Sequence, residues 1–497
     1  MKKILLGALG LGLALFTGCS RTSGTANTGG EQYTQLTMAF FSGARLDDMA
    51  LVQEELNKIA RVKAGVELTL MPIDWSAWDQ QVNLMISGGE KLDLMPVLGE
   101  NYAAAIGQGK LLPMEQYLSG GAGKALADTV GPVYMGASTV DSHTYGVPSL
   151  RDMARSYGLV MRKDLVEKYR IDADSLNTIE DLDRMFAAVK TGEPDMYMIF
   201  PQGNWHGIVF QLFHDRDPLG DDLGVLMNRG QGALKVENLY AAAAYARYVR
   251  KIREWYLKGY IPQDAITTPD GGNAMIGAGT LFASCANLKP GYAGENSMTM
   301  RYDLVQKDFI SPYATTRTVT SLMWTLPVTC KNPQKAVDAL SLLYTDADFI
   351  NLIDWGIEGR HYVKVPGSGN VITYPAGVTF DNTGWDMAAG WIFGDQLKSY
   401  VWEGNPPDLY EQLDAFNKNA LISKAMGFEY DSSPVKTAVA TVTNVVSEYR
   451  LSLEYGVADP DIALPRFIKA MEDAGIGEII AEKQRQLDAW AAAQRKR

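Results

Sequence analysis

Apolar and polar positions in the first hundred residues follow two alternating patterns. Residues 36–41 and 92–98 are short apolar runs, and residues 66–71 alternate apolar with polar side chains, as β-strands do. Residues 46–64 and 76–86 have helix-like patterns. Strands that alternate with helices of this length predict a largely parallel sheet with covering helices.

The same alternation resumes after residues 145–148. Thr178 and Asp181 have the spacing of a capping box, which predicts that a helix begins there. Further strands are predicted at 159–161, 196–200, 280–285 and 318–329, and further helices at 164–169, 238–257, 333–344 and over most of 428–490. Two α/β halves of this kind suggest a cleft between two lobes.

The N-terminus has the pattern of a secretory signal. Lys2 and Lys3 precede an apolar run at 4–16, and Gly18 and Cys19 follow it. An ordinary transmembrane anchor is the alternative, but this run is shorter than the roughly 20 residues that span a bilayer. Residues 15–19 resemble a bacterial lipobox, which implies a signal peptide at 1–18 and lipidation of Cys19. Residues 19–33 are then a lipidated flexible tether, because they are rich in Gly, Ser, Thr and Asn.

Composition narrows the classes of partner. The formal net charge of −12 argues against binding to nucleic acid or to acidic membranes. A chain of 497 residues is too long for one core and predicts at least two lobes. Ten Trp and 24 Tyr residues build mostly core, but they also suit stacking on sugar faces.

Two cysteines lie beyond Cys19. Cys285 and Cys330 could form one disulfide outside the cytoplasm, or they could be two separate buried thiols. The spacing leaves both alternatives open.

Motifs for common catalytic and metal sites are absent from the sequence. It contains no HExxH, Walker A or CxxC motif. His206 and His214 are eight residues apart, which does not suit a zinc site on one helix. We therefore predict no metal site and no cofactor.

Five short strings carry a family resemblance. They are GKLLP at 109–113, YGVP at 145–148, MRKDLVEKY at 161–169, TIEDL at 178–182 and KNPQKA at 331–336. In this order they resemble the bacterial extracellular solute-binding proteins of family 1. Residues 355–362, 391–396 and 427–490 resemble the branch found in oligosaccharide-binding lipoproteins, which has a C-terminal domain of unknown function.

The resemblance implies an α/β, two-lobed periplasmic-binding-protein-like fold (type II) with hinge-linked lobes and a helical C-terminal region. We expect lobe 1 at 34–148 and 312–355, lobe 2 at 149–311 and 356–427, and the C-terminal helical region at 428–497. It also implies a monomeric, non-enzymatic binding component of an ABC importer. Such a protein binds an oligosaccharide, delivers it to a membrane permease and is anchored by lipid to the extracytoplasmic face of the membrane.

In a two-lobed binder, ligand contacts are expected at the C-terminal ends of strands and at the crossings between lobes. Trp205, flanked by Asn204 and His206, is the strongest single candidate. Core packing is the alternative for Trp324 and Trp391, and helix capping is the alternative for Glu100 and Asn101. The predicted ligand-binding residues are Trp75, Glu100, Asn101, Tyr145, Arg151, Trp205, Trp324, Trp355, Glu358, Trp391 and Asp395.

Two other functions fit an aromatic-rich extracytoplasmic protein. A glycoside hydrolase would need two carboxylates across the cleft, and the sequence does not single out such a pair. A surface lectin or adhesin would need the same aromatic cleft without a transporter.

Overall fold

The computed structural model describes residues 33–140, 142–203 and 206–495. Ten strands form the two main sheets: β1 (Thr34–Ser42), β2 (Val66–Asp74), β3 (Met95–Leu98), β4 (Gly146–Pro148), β5 (Arg155–Arg162), β6 (Tyr197–Pro201), β7 (Leu281–Leu288), β8 (Leu304–Ala314), β9 (Leu322–Thr325) and β10 (Leu421–Ile422). The α-helices of eight or more residues are Met49–Ala64, Trp78–Gly88, Gly99–Gly107, Gly121–Val130, Ile179–Gly192, Ala243–Leu257, Tyr292–Met300, Pro333–Thr345, Ala347–Trp355, Leu409–Lys418, Lys436–Glu454, Pro460–Asp473 and Ile476–Gln494.

The sheet of the first lobe has the order β2-β1-β3-β9-β4. β1 and β2 pair in parallel, and the Ala39 amide donates to the Leu94 carbonyl at 2.9 Å just before β3. β9 lies between β3 and β4 and is antiparallel to both.

The sheet of the second lobe has the order β10-β8-β5-β7-β6. β5 is antiparallel to its neighbours β7 and β8, whereas the outer pairs are parallel. Both sheets are therefore mixed rather than largely parallel as predicted. β5 and β9 are each the first strand after the chain enters a new lobe. Each therefore starts at the side of its sheet where the neighbouring strands end, and it runs antiparallel to them.

Two hydrophobic cores correspond to the two lobes. The first contains Phe40 and Trp324 together with Ile392 and Phe393. The second contains Phe282 and also includes buried residues of the C-terminal helices within 436–479. Residues 385–393 thus pack in the first core, although the predicted boundaries placed 356–427 in lobe 2. The C-terminal helices complete the second core.

Three short segments join the lobes. Residues 149–154 form the first crossing between β4 and β5, residues 315–321 form the second between β8 and β9, and residues 419–420 form the third before β10. Asn417 is buried in the last turn of the helix that leads into the third crossing, and its side chain bonds to the first crossing. Its side chain donates to the Arg151 carbonyl at 2.5 Å and accepts from the Met153 amide at 2.9 Å.

Several local predictions can be compared directly with the structure. The Thr178–Asp181 capping box is present. Residues 318–329, predicted as one strand, instead include the end of the helical turn Thr316–Val319 and the short strand β9. Cys285 and Cys330 are free, buried and in different cores, so they do not form a disulfide.

The predicted signal peptide, Cys19 and most of the tether lie outside the described residues. Within the described part of the chain, no helix has the length and apolarity required to cross a bilayer.

Candidate functional site

A cavity of about 500 Å³ lies between the two lobes. The first lobe contributes Leu98 and Gly99, and the second crossing contributes Arg317, Thr318 and Ser321. Thr315 also belongs to this crossing. The remaining lining residues come from the second lobe, including the end of β8: Arg155, Tyr157, Gln202, His206, Phe210, Gln211, His214, Pro218, Gly220, Asp222, Asn287 and Tyr313.

A capping box shapes the second crossing. The Thr318 amide donates to the Thr315 hydroxyl at 3.3 Å, and the Thr315 amide donates to the Thr318 hydroxyl at 2.9 Å. This reciprocal pair starts the helical turn that places Arg317 and Thr318 at the cavity. Gly99 packs against the same crossing, where an added Cβ would be 2.5 Å from the Thr320 carbonyl oxygen. A side chain at position 99 would therefore push the first lobe away from the hinge.

A short helix, Ile208–Leu212, forms part of the wall of the second lobe. It begins beside Gly207, where an added Cβ would be 1.9 Å from a carboxylate oxygen of Glu454. This close approach seats the helix on the buried C-terminal region and presents Phe210 and Gln211 to the cavity.

The guanidinium groups of two arginines lie close to the Phe210 ring. Arg216 lies 4.0 Å and Arg450 lies 4.6 Å from the ring centroid. Both are within range of a cation–π interaction. The ring is thereby held in a fixed position on the wall.

A cluster of buried aromatic side chains forms the cavity wall next to the second crossing. The rings of Tyr157 and His214 stack at 4.4 Å, and His214 Nδ1 lies 2.5 Å from the Tyr313 hydroxyl. Burial, aided by the charge of Arg216, holds the pKa of His214 well below its usual range. The imidazole is therefore neutral at physiological pH, and the group supplies a rigid polar surface without a titrating charge.

An aromatic ladder runs along the first lobe. Trp75 stacks on Phe41 at 4.3 Å and on Trp391 at 5.8 Å, and the Arg151 guanidinium lies 5.9 Å from the Trp391 ring. Arg151 also donates to the Ser321 hydroxyl at 2.6 Å, which connects the ladder to the cavity lining. Trp75 is 43% exposed. The exposed part of this side chain is available to contact a sugar ring.

The structure brings three of the predicted ligand-binding residues together, namely Trp75, Arg151 and Trp391, in this ladder. Trp75 follows β2, and Arg151 lies in the first crossing. Arg151 forms an ion pair with Asp152 and also donates a hydrogen bond to the Ser321 hydroxyl. Trp75 and Arg151 thus lie where the rule of strand ends and crossings places ligand contacts, and their role in ligand binding stays a prediction.

Two predicted residues are structural. Trp324 is fully buried and donates from Nε1 to the Ile392 carbonyl at 2.7 Å, so it has no surface left for a ligand. Asp395 is 3% exposed, accepts from the Leu397 amide at 3.1 Å and pairs with Lys398. These two side chains stabilise the first lobe, in place of the predicted ligand contact.

Four further predicted residues lie outside the cavity lining. Tyr145 packs at the edge of the first core near His143, and Asn101 lines a separate cavity of about 240 Å³ in the first lobe. Trp355 stacks on Trp402 at 5.3 Å, and Glu358 lines another cavity of about 340 Å³.

The placement of Trp205 and of the Glu100 side chain lies outside what the structure describes. Their assignments as ligand-binding residues therefore stay predictions. His206, next to Trp205, does line the cavity.

Sequence reasoning missed most of the second-lobe wall. Gln202 follows β6 directly and Arg155 opens β5, so the strand-end and crossing rule could have found both. His214 and Tyr313 are 99 residues apart in the chain, and no local pattern links them.

The chemistry available at the cavity is mainly that of hydrogen bonding and stacking. Among the described lining residues, Asp222 is the one carboxylate, and it accepts from Arg216 Nε at 2.6 Å. Burial raises the pKa of Asp222, but the charge and hydrogen bond of Arg216, together with other nearby positive charge such as Lys483, outweigh burial and leave this pKa below its usual value. In the described part of the chain, no cluster of three or more His, Cys, Asp or Glu residues could hold a metal ion.

Comparison with known proteins agrees with this two-lobed geometry. Residues 43–348 match the family model for bacterial extracellular solute-binding protein. The chain belongs to this family. Residues 424–492 match a domain of unknown function (DUF3502), and in this structure that segment contributes to the core of the second lobe.

Individual relatives are distant in sequence but similar over almost the whole chain. A carbohydrate ABC transporter substrate-binding protein of Streptococcus pneumoniae serotype 4 is 24% identical over 490 residues, covering 97% of this chain and 96% of its own. The structure of the N-glycan transport solute binding protein (NgtS) from Streptococcus pneumoniae matches with a TM-score of 0.80 at 23% identity, covering 92% of this chain and 98% of that chain. The same protein in complex with Man5GlcNAc matches with a TM-score of 0.66 at 22% identity, with the same coverage of 92% and 98%. These likenesses establish the two-lobed α/β fold.

Proposed function

We propose that this protein is the substrate-binding lipoprotein of an ABC importer and captures an oligosaccharide between its two lobes. The proposal rests on the aromatic ladder of Trp75 and Trp391, which Arg151 connects to Ser321 in the lining of a cavity of about 500 Å³ between the lobes. Stacked aromatic faces with nearby hydrogen-bonding side chains are suited to sugar rings. Several solved relatives are described as binding glycans, which supports a carbohydrate ligand.

Binding would favour a closed arrangement of the lobes. The three crossings are short and separate two independent cores, so they can act as a hinge. The TM-score to NgtS falls from 0.80 to 0.66 when that protein holds Man5GlcNAc, which supports an open arrangement of the lobes in this structure. A ligand that contacts both walls would shift the equilibrium towards closure, and the closed form would be presented to a membrane permease.

Removing either tryptophan of the ladder should weaken glycan binding. We expect Trp75→Ala and Trp391→Ala each to cost about 1–3 kcal/mol of binding free energy, since each removes one aromatic contact. Isothermal titration calorimetry against Man1GlcNAc, Man5GlcNAc and maltotetraose measures this loss. Leu257→Ala, on an exposed side chain in the second lobe, is the control. If both tryptophan variants bind like the unmodified protein, the ladder is not the sugar platform.

The same mixtures distinguish binding from hydrolysis. A bound oligosaccharide recovered intact supports the importer component, and a shortened one supports a glycoside hydrolase. The single described carboxylate in the cavity lining, already engaged by Arg216, favours the binder. A lectin or adhesin would bind the same glycans, but deletion of the permease would leave its biological role intact.

Lipidation of Cys19 would keep the captured sugar near the permease. We expect Cys19→Ala to release the protein from the membrane fraction of the cell, because one thiol carries the anchor. Fractionation followed by a salt wash measures this, and Cys330→Ala is the matched control with the anchor intact. Tight membrane association of the Cys19→Ala variant would contradict lipid anchoring.

A further inference from the structure

An acidic loop forms part of the cavity wall in the second lobe. Residues 217–224 have the sequence DPLGDDLG, and Pro218, Gly220 and Asp222 line the interlobe cavity. Leu219 and Asp222 have φ angles of 46° and 59°, in the left-handed region that residues other than glycine rarely adopt. Such conformations cost free energy and persist only where surrounding contacts hold them. The contacts around this acidic loop therefore determine which groups face the cavity.

Hydrogen bonds of two aspartate side chains shape the acidic loop. The Leu219 amide donates to an Asp217 carboxylate oxygen at 3.0 Å, and the Leu223 amide donates to an Asp221 carboxylate oxygen at 2.9 Å. Asp217 is buried and also accepts from the Ser423 hydroxyl at 2.5 Å. The start of the loop is thereby connected to the segment that follows β10.

Lys483 holds the second half of the acidic loop. It lies in the helix Ile476–Gln494 and is fully buried. Its Nζ donates to the Asp221 carboxylate and, at 3.1 Å, to the Gly224 carbonyl. The helix also packs directly on Gly224, where an added Cβ would be 3.3 Å from Ile480 and 3.7 Å from the Lys483 side chain. One lysine therefore bridges a side chain and the backbone of the same loop.

The aspartates of the acidic loop in turn stabilise the charged form of this lysine. Burial lowers the pKa of Lys483, but Asp221, Asp222 and Asp217 act in the opposite direction. Removing the ammonium group would leave the Asp221 carboxylate and the Gly224 carbonyl without this donor, which is costly for buried polar groups. The lysine and the loop conformation therefore depend on each other.

We propose that Lys483 is a positioning residue for ligand binding, because it holds the acidic loop in the conformation that places Asp222 at the cavity wall. This inference rests on the proposed function. Asp222 accepts from Arg216 Nε at 2.6 Å, and a carboxylate oriented in this way can also accept a hydrogen bond from a sugar hydroxyl. Lys483 lies within residues 424–492, the domain of unknown function. This domain thus contributes to ligand binding, although none of the described cavity-lining residues belongs to it.

Lys483→Met tests the contact, because methionine is also long and unbranched but cannot donate to the loop. We expect amide hydrogen exchange in the acidic loop, followed by mass spectrometry, to become about tenfold faster, while exchange in β5 and β7 stays unchanged. Calorimetry with Man1GlcNAc, Man5GlcNAc and maltotetraose should show about a tenfold loss of affinity for each glycan that the unmodified protein binds, since the wall is less preorganised.

The chain offers a matched control and a second variant. Lys469 pairs with Asp473 at 2.8 Å on the surface of the same C-terminal domain, so Lys469→Met removes a lysine–aspartate pair remote from the acidic loop and should change neither measurement. If Lys483→Met does not fold, Asp221→Asn weakens the same contact from the loop side and keeps the shape of the side chain. It should raise loop exchange and lower glycan affinity in the same direction.

The outcomes separate this proposal from the proposed function. A lower free energy of unfolding with unchanged loop exchange and unchanged glycan affinity would show that Lys483 only stabilises the fold, and would overturn the proposal. Faster loop exchange with unchanged affinity would also overturn it, because the acidic loop would then not serve the ligand. If the unmodified protein binds no glycan of the panel, the sugar ligand is rejected, and loop exchange alone decides whether Lys483 positions the cavity wall.

Discussion

Replacing Trp324 by alanine is expected to lower the free energy of unfolding by about 3–5 kcal/mol. The side chain is fully buried in β9, packs near Phe393 in the first core and donates to the Ile392 carbonyl at 2.7 Å. Truncation leaves a large cavity and also an unpaired carbonyl. Denaturant unfolding followed by circular dichroism measures the loss.

A conservative variant keeps the test informative if Trp324→Ala does not fold. Trp324→Phe retains an aromatic ring but loses the Nε1 donor, so a loss of about 1–3 kcal/mol is expected. Trp75→Ala, at a position that is 43% exposed, is the matched control and should change stability far less. If Trp324→Ala instead had the same free energy of unfolding as the unmodified protein but bound glycans more weakly, the prediction that Trp324 contacts the ligand would be correct.

Trp324 shows why sequence patterns identify elements better than sites. The apolar run around it predicts a buried strand, and β9 is one, although only Leu322–Thr325 is extended. A run of this kind has no polar face, so it gives no indication of which tryptophan points to solvent. Trp75, at the turn after β2, is exposed and follows the strand-end rule.

The first strands and helices were predictable because each has a strong local pattern. β1, β2 and the helix Met49–Ala64 all fall within a few residues of their predicted positions. β8 was not predicted, because its central residues are half-buried or exposed and include charged side chains. Its place in the sheet depends on pairing with β5, which is far away in the chain.

The second-lobe wall depends on tertiary packing in the same way. Phe210 is fixed by Arg216 and by Arg450, which lies in the C-terminal helix Lys436–Glu454. Nothing in the sequence near residue 210 indicates that a helix more than 200 residues later completes this wall. The same holds for residues 385–393, which return to the first core after the second crossing.

Asn417→Ala is expected to lower the free energy of unfolding by about 2–4 kcal/mol and to weaken glycan binding by about 1 kcal/mol. The Asn417 side chain donates to the Arg151 carbonyl at 2.5 Å and accepts from the Met153 and Ala154 amides at 2.9 and 3.3 Å. Alanine would leave these backbone groups without their partner in a buried crossing. The same crossing carries Arg151, which contacts both the ladder and Ser321, so a looser crossing reduces preorganisation of the binding surface.

Denaturant unfolding and calorimetry with the same glycan panel measure both effects of Asn417→Ala. Asn419→Ala is the matched control, because Asn419 is exposed just beyond the same helix, and a change within about 0.5 kcal/mol is expected there. If the two variants behaved alike, the pairing of β10 with β8 would be sufficient to hold the crossings, and Asn417 would have no special role. If Asn417→Ala lost stability but kept full glycan affinity, the side chain would stabilise the hinge without positioning Arg151.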